Sequence, residues 1–87
     1  MPKILITHDV KDVEHWLTGN AERAASIPAG AVTDLVAADG SNRTAVLAEV
    51  DDLDAFKKYM ASPPAEDAAK AESHGVLMPT LTVYYEA

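Results

Sequence analysis

Cysteine is absent from this 87-residue chain, so neither disulfides nor thiolate metal sites can brace it, and its stability rests on packing or association. Cations are scarce: 7 Lys and Arg stand against 14 Asp and Glu, a formal net charge of −7. That balance repels a phosphate backbone and argues against a nucleic-acid partner. Long apolar runs are missing too. Met1-Pro2-Lys3 leads into only Ile4 to Ile6, too short for a signal peptide or a membrane span, so a cytoplasmic protein with no membrane partner is expected. No phosphate-binding loop, metal-ligand spacing or nucleophile motif interrupts the sequence. What remains is an apolar chain, 48% hydrophobic, with three histidines, one tryptophan and one phenylalanine. A single domain over residues 1–87 of this size buries about 60 to 65% of its unfolded surface, which is marginal for a monomer.

Hydrophobic periodicity orders the elements. Lys3 to His8 alternates, with Ile4 and Ile6 on one face and Leu5 and Thr7 on the other, as a central strand does. Asp12 is placed as N-cap of a helix whose positions Val13, Trp16, Leu17, Asn20, Ala21 and Ala24 make one stripe, ending near Ile27-Pro28. Ala31 to Ala37 and Thr44 to Val50 read as antiparallel strands joined by the polar stretch from Ala38 to Arg43. Asp51 and Asp52 offer caps to a helix carrying Leu53, Phe56 and Met60, which Ser62-Pro63-Pro64 interrupts. A third helix, Ala65 to His74, is expected to bury a flat alanine face and stops at Gly75, and Thr80 to Glu86 forms the last strand.

The order βαββ(αα)β predicts an α+β, ferredoxin-like sandwich with a four-stranded antiparallel sheet. Its helices cover one face. The other, carrying Leu5, Leu47, Thr82 and Tyr84, is left apolar and open, so a homodimer through that face is expected.

Several stretches carry a resemblance: His8-Asp9-Val10 at the end of strand one, the helix opening from Val10-Lys11-Asp12 to Trp16, the passage Glu49-Val50-Asp51-Asp52-Leu53, and the approach from Gly75-Val76 to Pro79. Over nearly its whole length the chain resembles the dimeric α/β-barrel superfamily of antibiotic-biosynthesis monooxygenases, haem-degrading monooxygenases, stress-responsive barrel proteins and small polyketide cyclases. The resemblance implies a dimeric α/β barrel. It also implies His8 and His74 as a catalytic pair, since the polyketide cyclases place one histidine on the first strand and another late in the chain. The asparagine, tryptophan and histidine triad of the haem-degrading branch is not reproduced, because His8 holds the strand end and Trp16 lies on helix one.

In this topology His8, His15 and His74 gather at one end of the sheet. His8 shares the face of Ile4 and Ile6 and caps the space beneath the helices, where an imidazole with an ordinary pKa near 6.5 is suited to general-base work. A satisfied strand-end histidine bonded to Asp9 or a loop carbonyl is the plainer alternative. His74 fits equally well as an exposed residue complementing the carbonyl end of its helix. His15 lies opposite the buried stripe and is expected to face solvent, which speaks against a three-histidine metal site. Trp16, Phe56 and Met60 are candidate pocket walls for a small hydrophobic or aromatic ligand, or else ordinary core.

Three functions stay open: a small-molecule-binding homodimer, a monooxygenase or cyclase needing no cofactor and using His8 as base, or a structural or regulatory dimer with a filled core. A cavity of roughly 300 Å³ or more beside His8 would favour the first two.

Overall fold

A computed structural model describes residues 1–26 and 29–87. Four strands, β1 (Lys3–Asp9), β2 (Gly30–Val36), β3 (Arg43–Glu49) and β4 (Thr82–Tyr85), form one sheet in the order β2-β3-β1-β4. Every neighbouring pair is antiparallel. The helices are α1 (Val13–Leu17), α2 (Asn20–Ser26), α3 (Leu53–Ala61) and α4 (Ala65–Ser73). This is the ferredoxin-like arrangement the pattern predicts. Among the described residues no helix is long and apolar enough to cross a membrane.

Strand alternation sorts the side chains as expected. Ile4, Ile6, His8, Val46 and Ala48 are buried on the helix side, where Trp16 and Phe56 complete the core. Tyr85 points the same way, its ring edge-on to Phe56 at 6.5 Å, whereas Tyr84 on the opposite face is 55% exposed. Leu5 pairs with both Leu47 and Tyr84, so these three form an apolar row across the open face.

The structure corrects the single first helix. It is two helices, broken at Thr18-Gly19. Asp12 caps α1 by accepting from the amides of Glu14 and His15, as expected, but the Thr18 hydroxyl and amide both turn back onto the His15 carbonyl and close the helix after five residues. Gly19, a poor helix former, opens the next turn. Of the predicted stripe only Trp16 is buried; Leu17, Asn20, Ala21 and Ala24 are exposed, and the expected end at Ile27-Pro28 lies outside the described residues.

Smaller differences have local causes. Asp52 rather than Asp51 caps α3. β4 begins two residues late because Met78–Thr80 forms a 3₁₀ turn, in which the Thr80 hydroxyl donates to the Leu77 carbonyl and accepts from the Asp9 amide. In β2 a register shift between Gly30 and Thr33 coincides with Ala31 at φ 52°, a bulge at the edge of the sheet. α4 buries no residue completely, so its alanine face does not pack tightly on the sheet.

Candidate functional site

β1 delivers His8 to the space between sheet and helices, and the cross-strand neighbour on β3 is Thr44. Both are buried. The Thr44 hydroxyl lies 3.0 Å from the His8 carbonyl and 2.7 Å from its Nδ1. A hydroxyl has one proton and a carbonyl can only accept, so both bonds form together when Thr44 donates to the carbonyl and Nδ1–H donates to Thr44. This fixes the tautomer: Nε2 keeps its lone pair, and no described residue bonds it. Burial pushes the His8 pKa below 6.5, and the nearby Arg23 guanidinium adds to the effect against the opposing pull of its own carbonyl, Asp34 and Asp9. The imidazole is therefore neutral at physiological pH. Its hydrogen-bonding partner is Thr44, not Asp9 or a loop carbonyl.

Behind His8 stands a network the sequence did not announce. Trp16, fully buried, meets the His8 ring edge-on at 5.5 Å, and the Arg23 guanidinium covers Trp16 at 4.1 Å from the ring centre. Arg23 grips Asp34 through two bonds, 3.2 Å from Nε to Oδ1 and 2.6 Å from Nη2 to Oδ2, and Nη2 also donates to the Trp16 carbonyl at 2.8 Å. Asn20 supplies Asp34 with a further donor at 2.9 Å. Both charged side chains are nearly inaccessible, so this pair is an interior one. The Trp16 Nε1 is buried with no partner among the described residues.

His74 is also corrected. It is the C-cap of α4 and is buried, not an exposed dipole-complementing residue. Its ring lies flush against Gly19, where an added Cβ would come within 2.5 Å, so the break between α1 and α2 is what admits it. Nε2 sits 3.1 Å from Glu22 and Nδ1 sits 3.5 Å from Arg23 Nη1. Arginine can only donate, so Nδ1 accepts and Nε2–H donates to Glu22, which leaves no lone pair for a base. His74 bridges α4 to α2. His15 is exposed, as expected, and donates from Nε2 to the Ser73 carbonyl at 2.8 Å. Among the described residues no group of three His, Asp or Glu side chains is placed to hold a metal ion.

A mainly apolar cavity of about 140 Å³ opens beside His8. Ile6, His8 and Val46 form its floor, Met60 lies to one side, and Ala68 and Ala71 of α4 form its roof. The core is therefore not filled, though the space is smaller than the 300 Å³ threshold. Of the candidate residues, His8, His74 and Met60 line it; Trp16 and Phe56 do not and belong to the core behind it. Tyr59, another lining residue, donates to Asp67 at 2.7 Å and ties α3 to α4; burial and that carboxylate push its pKa well up. A wider, shallow depression of about 380 Å³ flanks the sheet end, with Thr7, Asp9, Leu35 and Ala45 on its open-face side.

No protein-family model matches the sequence. No curated protein matches it. Solved structures do. One is a protein of Deinococcus radiodurans described as an antibiotic biosynthesis monooxygenase, with TM-score 0.62 and 15% identity, covering 100% of this chain and 91% of that one. Another is SnoaB from Streptomyces nogalater, a cofactor-independent oxygenase, with TM-score 0.60 and 20% identity, covering 98% of this chain and 87% of that one. At these identities the likeness is one of fold. The chain has the ferredoxin-like fold of antibiotic-biosynthesis-monooxygenase proteins.

Proposed function

We propose that this chain is a cofactor-independent oxygenase that takes a small, mainly apolar substrate into the cavity beside His8 and removes a proton from it with His8 Nε2. The observation that carries the reading is a buried, neutral imidazole that lines an apolar cavity, with its Nδ1 committed to Thr44 and its Nε2 unbonded among the described residues. SnoaB offers a precedent for oxygenation without a cofactor on this fold.

Loss of a proton from an acidic O–H or C–H leaves an electron-rich anion that can pass one electron to O2. Radical recombination forms a C–O bond, and the resulting hydroperoxide loses water. One atom of O2 becomes the new carbonyl oxygen; the other leaves as water with the two substrate hydrogens. Low polarity around the anion favours the electron transfer, and Met60 contributes to that surface. Trp16 and Phe56 act from behind by holding the walls in place, and His74, itself in the wall, ties α4 to α2. The functional unit in this reading is a cytoplasmic homodimer joined through the Leu5, Leu47 and Tyr84 face.

The test is turnover of resorcinol under ¹⁸O2, with His8→Gln beside the native protein. One labelled oxygen in a quinone product and a loss of about 10² to 10⁴ in rate for the variant are expected. Equal rates for the two proteins would overturn the role of His8. Binding that shifts the His8 signals without turnover would leave a binding protein and remove the oxygenase.

A further inference from the structure

Polar groups around the cavity are almost all spoken for. Tyr59 is bonded to Asp67, His74 to Glu22 and Arg23 to Asp34, and Lys70 has an interaction of its own. His8, also a lining residue, keeps Nε2 without a partner among the described residues, and in its fixed tautomer that atom can only accept. At His8 the site therefore offers an acceptor and no donor. A carboxylate, phosphate or ketone oxygen set against Nε2 would meet a lone pair, whereas a ligand hydroxyl supplies the donor that Nε2 lacks.

Size narrows the class further. The cavity of about 140 Å³ nearly equals an engineered apolar cavity of about 150 Å³ known to accept benzene, and falls well short of the roughly 300 to 1,000 Å³ of sites for larger organic ligands. Residues of α3 and α4 set that limit. Ala68 and Ala71 present methyl groups where a larger side chain would fill the space, and Met60 bounds it from α3.

We infer that the site selects a single-ring phenol, with its hydroxyl on His8 Nε2 and its ring against Ala71 and Met60, and that these two side chains set the size limit. The inference rests on the proposed site at His8. It opposes simple hydrophobicity, which would make a larger arene bind more tightly in an unconstrained apolar site.

Phenol, 1-naphthol and 9-phenanthrol are titrated into the full chain, with NMR of the His8 ring as the readout and the fluorescence of Trp16, the only tryptophan, as a second probe. Phenol should perturb both signals and bind at least tenfold more tightly than 1-naphthol. Ala71→Leu should weaken phenol at least tenfold with an unchanged or raised melting temperature. Met60→Ala should bring 1-naphthol to or above the affinity of phenol, a gain that a poorly folded variant could not produce. Tighter binding of 1-naphthol or 9-phenanthrol to the native protein, with His8 responding, would overturn the single-ring inference and leave the site standing. If none of the three perturbs His8, both the inference and the site fall.

Discussion

Asp34→Ala removes the carboxylate that neutralises Arg23 in the interior. The two side chains keep only 6% and 10% of their exposure, and their shortest contact is 2.6 Å. Without Asp34 the guanidinium retains the Trp16 carbonyl and His74 Nδ1 as acceptors, but no opposite charge that it contacts directly. Breaking a buried pair from one side costs about 3 to 5 kcal/mol, because the surviving charge stays desolvated. A domain of this length has about 4 to 13 kcal/mol of stability in all, at roughly 0.05 to 0.15 kcal/mol per residue, so the variant should lose about a quarter of it or more and, at the lower end of that range, unfold at room temperature. Urea melts of the native protein, Asp34→Ala, Arg23→Met and the double variant Arg23→Met with Asp34→Leu provide the measurement. The double variant should be more stable than Asp34→Ala, since removing both charges removes the desolvation cost with them. A loss below about 1 kcal/mol for Asp34→Ala, the value of an exposed pair, would refute the interior placement of this pair.

His8, with a pKa held below 6.5 in the fold, binds a proton more readily when unfolded; its contribution is complete above pH 6.5 and is lost as the pH falls from there toward the native value, so denaturation midpoints should drop in that window for the native protein and less for His8→Gln. Gly19→Ala should cost about 1 to 3 kcal/mol through the clash with His74, and Gly19→Ala with His74→Ala should recover part of it in thermal melts. Thr44→Val leaves the Nδ1–H of His8 without its acceptor and should cost about 1 to 3 kcal/mol; ¹⁵N shifts of the ring should show the single tautomer giving way to a mixture. The row of Leu5, Leu47 and Tyr84 should hold a dimer burying on the order of 1,200 Å² in total, so sedimentation should give twice the 9.3 kDa chain mass, Leu47→Arg should give a monomer, and a monomeric native protein at high concentration would refute the covered face.

Those residues differ in how legible they were. His8 could be placed from alternation alone, because Ile4 and Ile6 fix the buried face of β1 and a strand has no freedom to turn one side chain against that period. The caps at Asp12 and Asp52 were legible for a similar reason, a short-range bond with fixed spacing. Arg23 and Asp34 were not, since they are eleven residues apart and each alone reads as a surface charge. A signal existed: Asp34 stands in the middle of an apolar strand, opposite Val46 on the buried face, where an unpaired carboxylate is untenable. The break at Gly19 was hidden by Asn20, Ala21 and Ala24, which continue the helical period although they bury nothing. His74 was misread with it, because its burial depends on the bare surface Gly19 offers from another element.

The same strand geometry keeps assembly and chemistry apart. β1 sends Ile4, Ile6 and His8 toward the helices and Leu5 and Thr7 toward the open face, so the residues that line the cavity and those that meet a second copy alternate along one segment. A partner on the open face can brace the sheet without reaching Nε2, while the helices above are tied down by side-chain bonds: α4 to α3 through Tyr59 and Asp67, and α4 to α2 through His74 and Glu22. α4 contributes two alanines to the cavity and no fully buried residue of its own, which leaves it with little hydrophobic anchoring. Access to His8 is therefore governed from the helix side. The cavity walls can change through substitutions in α3 and α4 while the sheet, its His8–Thr44 pair and the buried Arg23–Asp34 pair remain as they are.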